Sequence, residues 1–194
     1  MSNTASITTA PDPDLDAWFD RRFTEKMAER DAAHTPSMTI IATKGTLDQA
    51  YPPFILASTG AALGWDVSIF FTFYGLNLLK KDLDLRVTPV GNPAMPMKLS
   101  GRDLPLPTSV MTLMPGFEGM VTRMMRSTMD RKGIARIDEL RDLCIEADVK
   151  LVACQMTVDL FDYGKDEFIP QIEQWAGAAS FLPRALAADV NFFM

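Results

Sequence analysis

From Ser37 onward, apolar positions follow two alternating periods. Short, nearly continuous apolar runs read as buried strands, and longer stretches with apolar residues three or four apart read as helices. Met38–Ala42 is the first run, followed by the loop Thr43-Lys44-Gly45-Thr46 and a helix over Leu47–Ala62. Trp65–Tyr74, dense in aromatic and β-branched residues, is a second strand. A short helix at Leu76–Lys81 and an extended piece at Leu85–Val90 come next. Regular structure resumes at Gly116, where Phe117, Met120, Val121, Met124 and Met125 mark one helix face and Gly133 supplies a stop. The following helix turns Ile137, Leu140, Cys144 and Ala147 inward and carries Asp138 and Glu139 in its first turn. Val149–Cys154 is a third strand, a helix starts behind it at Gln155, and Thr157–Tyr163 continues that helix to Gly164. Ile172–Trp175, a helix over Phe181–Ala188 capped by Ser180 with Pro183 in its first turn, and Val190–Met194 complete the pattern.

Five strands separated by helices predict an α/β protein, a three-layer α/β/α arrangement around a mostly parallel five-stranded sheet. In such sheets ligands bind beyond the carboxyl ends of the strands, and Cys154 lies at one of those ends. Two regions stand outside the rhythm. Residues 1–36 form an N-terminal arm whose helix, over Leu15–Ala33, carries Leu15, Trp18, Phe19, Phe23 and Met27 at helical spacing. This amphipathic stripe needs a partner surface on the parent domain 37–194 or across an oligomer interface. A membrane-surface role is weaker, because the polar face mixes both charge signs. Gly91–Pro115, with five prolines and four methionines, reads as a mid-chain insertion or lid. Thioethers suit Cu(I), but methionine is more often an adaptable apolar filler, so no metal is expected there.

The apolar stretch Pro52–Leu79 raises the question of a membrane span. Asp66 divides it, and its uninterrupted second half is shorter than the roughly 20 residues a bilayer requires. A buried helix followed by a central strand fits better, with the Gly60/Gly64 spacing letting the helix lie close to the sheet.

Composition narrows the chemistry. Two cysteines and one histidine in 194 residues cannot build a four-ligand zinc site of cysteine and histidine. A formal net charge of −6 argues against a nucleic-acid surface, which needs clustered Lys and Arg. A structural disulfide between Cys144 and Cys154 stays open as an alternative, but Met1–Pro13 lacks a basic start and an apolar core, so a reducing cytoplasm is the expected setting.

Cys154 then becomes the leading candidate. A strand-to-helix junction is expected to expose its thiol to backbone N–H groups and the positive end of a helix dipole, which favour a thiolate. Gln155, Met156 and Thr157 open the helix behind it. Lys44 adds positive charge if its loop lies beside the thiol, and Phe73 and Tyr74 end the neighbouring strand where they can wall a pocket. Cys144 sits on an inward helix face and is at best a second, resolving thiol. Three readings are open: a reactive cysteine, a small-molecule binder using Lys44, Gly45 and Thr46 as a phosphate or flavin cradle, and a scaffold subunit with no chemistry. The loop lacks both the P-loop spacing and a GxGxxG fingerprint.

Four stretches together carry a family resemblance. These are Met38-Thr39-Ile40-Ile41-Ala42-Thr43-Lys44-Gly45, the run Gly64–Gly75, Leu151-Val152-Ala153-Cys154-Gln155-Met156-Thr157, and the ending Ala178–Leu182 with Ala188–Phe193. The pattern over Ser37–Met194 resembles the DsrE/DsrF-like family, in its longer DsrE-like branch. The resemblance implies a sulfur-trafficking protein without a cofactor, sulfurtransferase-like rather than a turnover enzyme. It would take sulfane sulfur as a persulfide on the cysteine matching Cys154 and pass it to TusA-like or rhodanese-like partners, often as a homo-oligomer. Cys144 does not match the family's sulfur-binding position.

Overall fold

The computed structural model describes residues 13–88, 98–99, 102–103 and 116–194. The chain divides into two units, Met1–Thr35 and Pro36–Met194. In the first, Pro13–Ala33 is a single helix, α1, opened by Asp14 and Asp16 and closed by Arg30, charges that complement its dipole. Its apolar stripe is less clean than spacing alone suggested. Arg22 and Lys26 rise between the aromatic residues and pair with Glu25 and Glu29 at 2.6 Å each. Phe19 and Phe23 stack with centroids 6.0 Å apart, and α1 buries none of its residues.

The second unit is built on β1 (Ser37–Ala42), β2 (Asp66–Phe71), β5 (Lys150–Cys154), β6 (Gln174–Ala176) and β7 (Val190–Phe193). They form one sheet in the order β6-β5-β2-β1-β7, and every pairing is parallel. The chain therefore winds outward from β1 through β2 and β5 to β6, then returns to the far side of β1. Right-handed crossovers place the outward-leg helices on one face and the returning helix on the other.

Strand parity sorts the side chains between those faces. Met38, Ile40 and Ala42 of β1, Val67, Ile69 and Phe71 of β2, and Leu151 and Ala153 of β5 enter the large core. There they meet α2 (Leu47–Ala62), α3 (Phe117–Arg131) and α4 (Ile137–Glu146). The alternate positions Phe70, Val152 and Cys154 meet α6 (Ala178–Ala187) in a small second cluster with Ala176 and Phe181. Gly60 permits the close approach of α2 to the sheet, since a Cβ there would fall 2.6 Å from Met38 Cε. No helix of the described residues is long and apolar enough to cross a membrane.

Several expected boundaries move, each for a physical reason. The second strand stops at Phe71, and the chain runs at once into a 3₁₀ segment, Phe73–Leu79, rather than a helix at Leu76–Lys81. Of the extended piece expected at Leu85–Val90, residues 85–88 join no sheet and 89–90 lie outside the described residues. Residues 83–88 have no regular structure. They are pinned across the top of α2 and α3, with Arg86 O accepting from Leu47 N–H at 2.8 Å and Val87 N–H donating to Thr122 Oγ1 at 3.1 Å. Thr122 thereby takes a buried place on α3, and Met120 and Met124 stay exposed. α6 begins at Ala178 instead of after Ser180, which puts Pro183 in its second turn. Of the insertion at 91–115, Lys98–Leu99 and Arg102–Asp103 pair as the short antiparallel β3 and β4; the rest of it lies outside the described residues.

Candidate functional site

Cys154 ends β5 and is the residue from which α5 (Gln155–Leu160) starts. Its side chain is not exposed as expected. It is 2% accessible and packs with Phe70, Val152, Ala176 and Phe181. Register explains the burial. Cys154 lies opposite Ala176 on β6, so α6 begins just beyond that pair and brings Phe181 onto the same side, stacked on Phe70 at 4.9 Å. Sheet pairing between residues far apart in sequence covers the thiol.

Behind the thiol, Thr157 joins α5 to the end of β2. Its hydroxyl is 1% exposed, accepts the Phe73 N–H at 3.2 Å, and lies 3.2 Å from Thr72 Oγ1. Phe73 has φ of 48°, the left-handed region that bulky side chains avoid. Such a conformation persists only where surrounding contacts hold it, and the Thr157 bond is one of them. Sequence reading proposed Thr157 as a supporting residue but missed Thr72 and the strain at Phe73. Two hydroxyls at strand and helix ends were the available signal.

The loops after β1 and β2 interlock through two glycines. A Cβ on Gly45 would fall 2.0 Å from Tyr74 O, and one on Gly75 would fall 2.1 Å from Ala42 O. Gly75 N–H donates to Thr43 O at 3.1 Å and Thr72 N–H to Ala42 O at 3.0 Å. Gly45 and Tyr74 are thus brought together. The Tyr74 ring is exposed and stacks on Phe161 at 5.8 Å. Met156 is exposed, and Gln155 donates to Asp159 Oδ1 at 2.7 Å. Lys44 is exposed, and no hydrogen bond or ion pair among the described residues holds its ammonium in place.

Some of the donors in and beside the Thr43–Thr46 loop are already committed within the fold. Leu47 N–H is committed to Arg86 O, and Thr43 N–H and Oγ1 both donate to Met194 O, at 2.8 and 3.0 Å. Thr46 caps α2 without a side-chain bond to it, its hydroxyl 3.4 Å from that of Thr88. The Asp48 carboxylate stands on the first turn. Burial pushes its pKa up, but hydrogen bonds from Thr46, its own backbone, Gln49 and Thr88 outweigh this and leave it below the usual range. A negative charge there opposes a bound phosphate.

Cys144 has a different setting. It faces the large core from α4 at 0% exposure, with Sγ 3.6 Å from Phe54 O. Burial pushes its thiol up to about 12, only partly offset by a backbone hydrogen bond. Because Cys144 packs with Leu151 and Ala153 while Cys154 projects with Val152, the sheet separates the two sulfurs. Both thiols are free and lie on opposite faces of the sheet. Among the described residues no group of three or more His, Cys, Asp or Glu is arranged to hold a metal ion.

This geometry can be set beside known proteins. The family model described as DsrE/DsrF/DrsH-like matches residues 34–193. Over 157 residues, 81% of this chain and 97% of the relative, the sequence is 58% identical to "Sulfur carrier protein DsrE2" of Allochromatium vinosum. Over 161 residues, 82% of this chain and 98% of the relative, it is 33% identical to "Uncharacterized protein YrkE" of Bacillus subtilis. With the parallel sheet, the cysteine at the end of β5 and a match spanning almost the whole second unit, the chain belongs to the DsrE/DsrF/DrsH-like family.

Proposed function

We propose that this protein is a sulfur carrier that holds sulfane sulfur as a persulfide on Cys154 and delivers it to a thiol of a partner protein. The coarser part, sulfur carriage, is supported by the 58% identical relative that bears that name. The observation that carries the finer part is the position of Cys154. It ends a parallel strand where α5 begins, and the strand beside it leads into α6, so two strand-to-helix junctions lie side by side at this residue. Junctions of this kind offer backbone N–H groups and the positive end of a helix to an anionic sulfur.

The exchange is balanced without a redox partner. The Cys154 thiolate attacks the outer sulfur of a donor persulfide, a new S–S bond forms on Cys154, the donor's S–S bond breaks, and the donor leaves as a thiolate. A partner thiolate then attacks the outer sulfur of Cys154–S–S⁻ and Cys154 departs as the thiolate. An S–S bond adds about 2 Å to the side chain, so loading requires α6, which covers the thiol through Phe181, to give way. Phe73, Tyr74, Met156 and Leu160, all exposed, offer an apolar rim for a TusA-like or rhodanese-like partner. A cytoplasmic setting and a homo-oligomeric state belong to the same proposal.

The test is intact mass after incubation with a persulfide donor, with and without reductant. Wild type and Cys144→Ser are expected to gain about 32 Da per sulfur atom, reversibly, and Cys154→Ser to gain nothing. Equal loading of Cys154→Ser would overturn the assignment.

A further inference from the structure

On the opposite side of the sheet from the Cys154 thiol, a cleft of about 500 Å³ opens between α2, residues 81–85, α3 and α4. Tyr51, Leu83, Met129, Ile134 and Ile137 contribute to its wall, together with Arg141 of α4. This size is ordinary for a small-molecule site.

Arg141 is what distinguishes the cleft. Its side chain is 7% exposed. Nη1 donates to Leu78 O at 3.2 Å and to Lys80 O at 2.7 Å, while Nε is buried with no partner and Nη2 makes no hydrogen bond among the described residues. No carboxylate of the described residues forms an ion pair with it. A guanidinium keeps its charge, and a buried charge without a counter-ion is costly. Burial works against the cation, and Asp142 and Asp138 relieve it only from a distance.

The other charges around the cleft are better provided for. Arg136 pairs with Asp138, Asp84 with Arg86, Lys81 donates to Asp166 O, and Arg126 donates to Leu85 O. Asp82 and Asp130 sit on the exposed rim, where solvent screens them. The unmet demand therefore belongs to Arg141. Its unpaired edge, Nε with Nη2, carries the two parallel N–H groups that match a carboxylate.

We infer that this cleft binds a small organic carboxylate, its head on the free edge of Arg141 and its apolar body along Leu83, Ile134 and Ile137. The site is independent of sulfur loading at Cys154.

Calorimetric titration of the full chain with octanoate, and in parallel with octylamine and acetate, tests the inference. Octanoate is expected to bind saturably at one site. Octylamine lacks the anion and acetate lacks the body, so both should bind at least about tenfold more weakly. Arg141→Gln removes the charged fork, and Ile134→Asp puts a like charge on an exposed rim position; each should weaken octanoate by about tenfold or more. If Arg141→Gln does not fold, Ile134→Asp alone decides. No saturable octanoate binding, equal binding of octylamine, or octanoate affinity unchanged in Ile134→Asp would each overturn the site.

Discussion

Two cysteines ten residues apart meet opposite environments. Cys144 lies beneath α2 in the large core, while Cys154 lies on the other face, where, among the described residues, α6 covers it through Phe181. Neither is open to solvent, yet their surroundings differ in kind. Cys144 has apolar packing and a carbonyl acceptor, which favours the neutral thiol. Cys154 has a helix start on its own strand, another on the neighbouring strand, and a small apolar cluster around it. Exposure alone does not separate the two thiols; what packs around each does.

The contrast is largest in native-state alkylation. With its thiol pushed up to about 12, Cys144 is thiolate in about one molecule in ten thousand at pH 8, and the core must open before reagent reaches it. Cys154 is expected to react at least about 100-fold faster, by local displacement of α6. Phe181→Ala, which removes the ring stacked on Phe70, should accelerate Cys154 further and leave Cys144 unchanged. Site-resolved mass spectrometry of the labelled protein measures both rates, and equal rates would erase the distinction between the faces.

Much of this was legible beforehand. α2 runs over Leu47–Ala62 as the periodicity predicts, Cys144 sits on the inward face as its spacing with Ile137 and Leu140 requires, and the strand ending at Cys154 is present. Local pattern is enough there because one apolar period decides the outcome. The burial of Cys154 was not legible, since it depends on the pairing with Ala176 and the phase of α6, both set by contacts 22 or more residues away. The pinning of residues 83–88 and the unpaired edge of Arg141 are likewise tertiary facts with no sequence period behind them.

A smaller effect tests the closed face through pH. The folded state raises the Cys144 thiol from an ordinary value near 9 to about 12. Below pH 9 both states hold the proton and the stability is fully present. Between pH 9 and 12 only the unfolded chain releases it, so stability falls by up to about 1.4 kcal/mol per pH unit. Cys144→Ala, a change of small volume, should flatten that part of the denaturation profile. An unchanged slope would mean the thiol is not the group responsible.

The smallest effect concerns the strained residue behind Cys154. In Thr157→Val the shape is kept, but Phe73 N–H loses its acceptor and Thr72 Oγ1 its partner. The bond is part-buried, so the unmet donor costs no more than the low end of the about 1–3 kcal/mol of a fully buried one. Part of that loss is returned, because Phe73 is free to leave its left-handed conformation once the bond is gone. A net destabilisation of no more than about 1 kcal/mol is therefore expected in urea titration. Thr157→Ser keeps the hydroxyl and should restore both stability and the rate of sulfur loading. If Val slows loading at Cys154 and Ser recovers it, Thr157 acts by holding the β2 end against α5. If Val loads at the wild-type rate despite the lost stability, the bond is a fold contact, and the order behind the thiol comes from the Gly45 and Gly75 interlock instead.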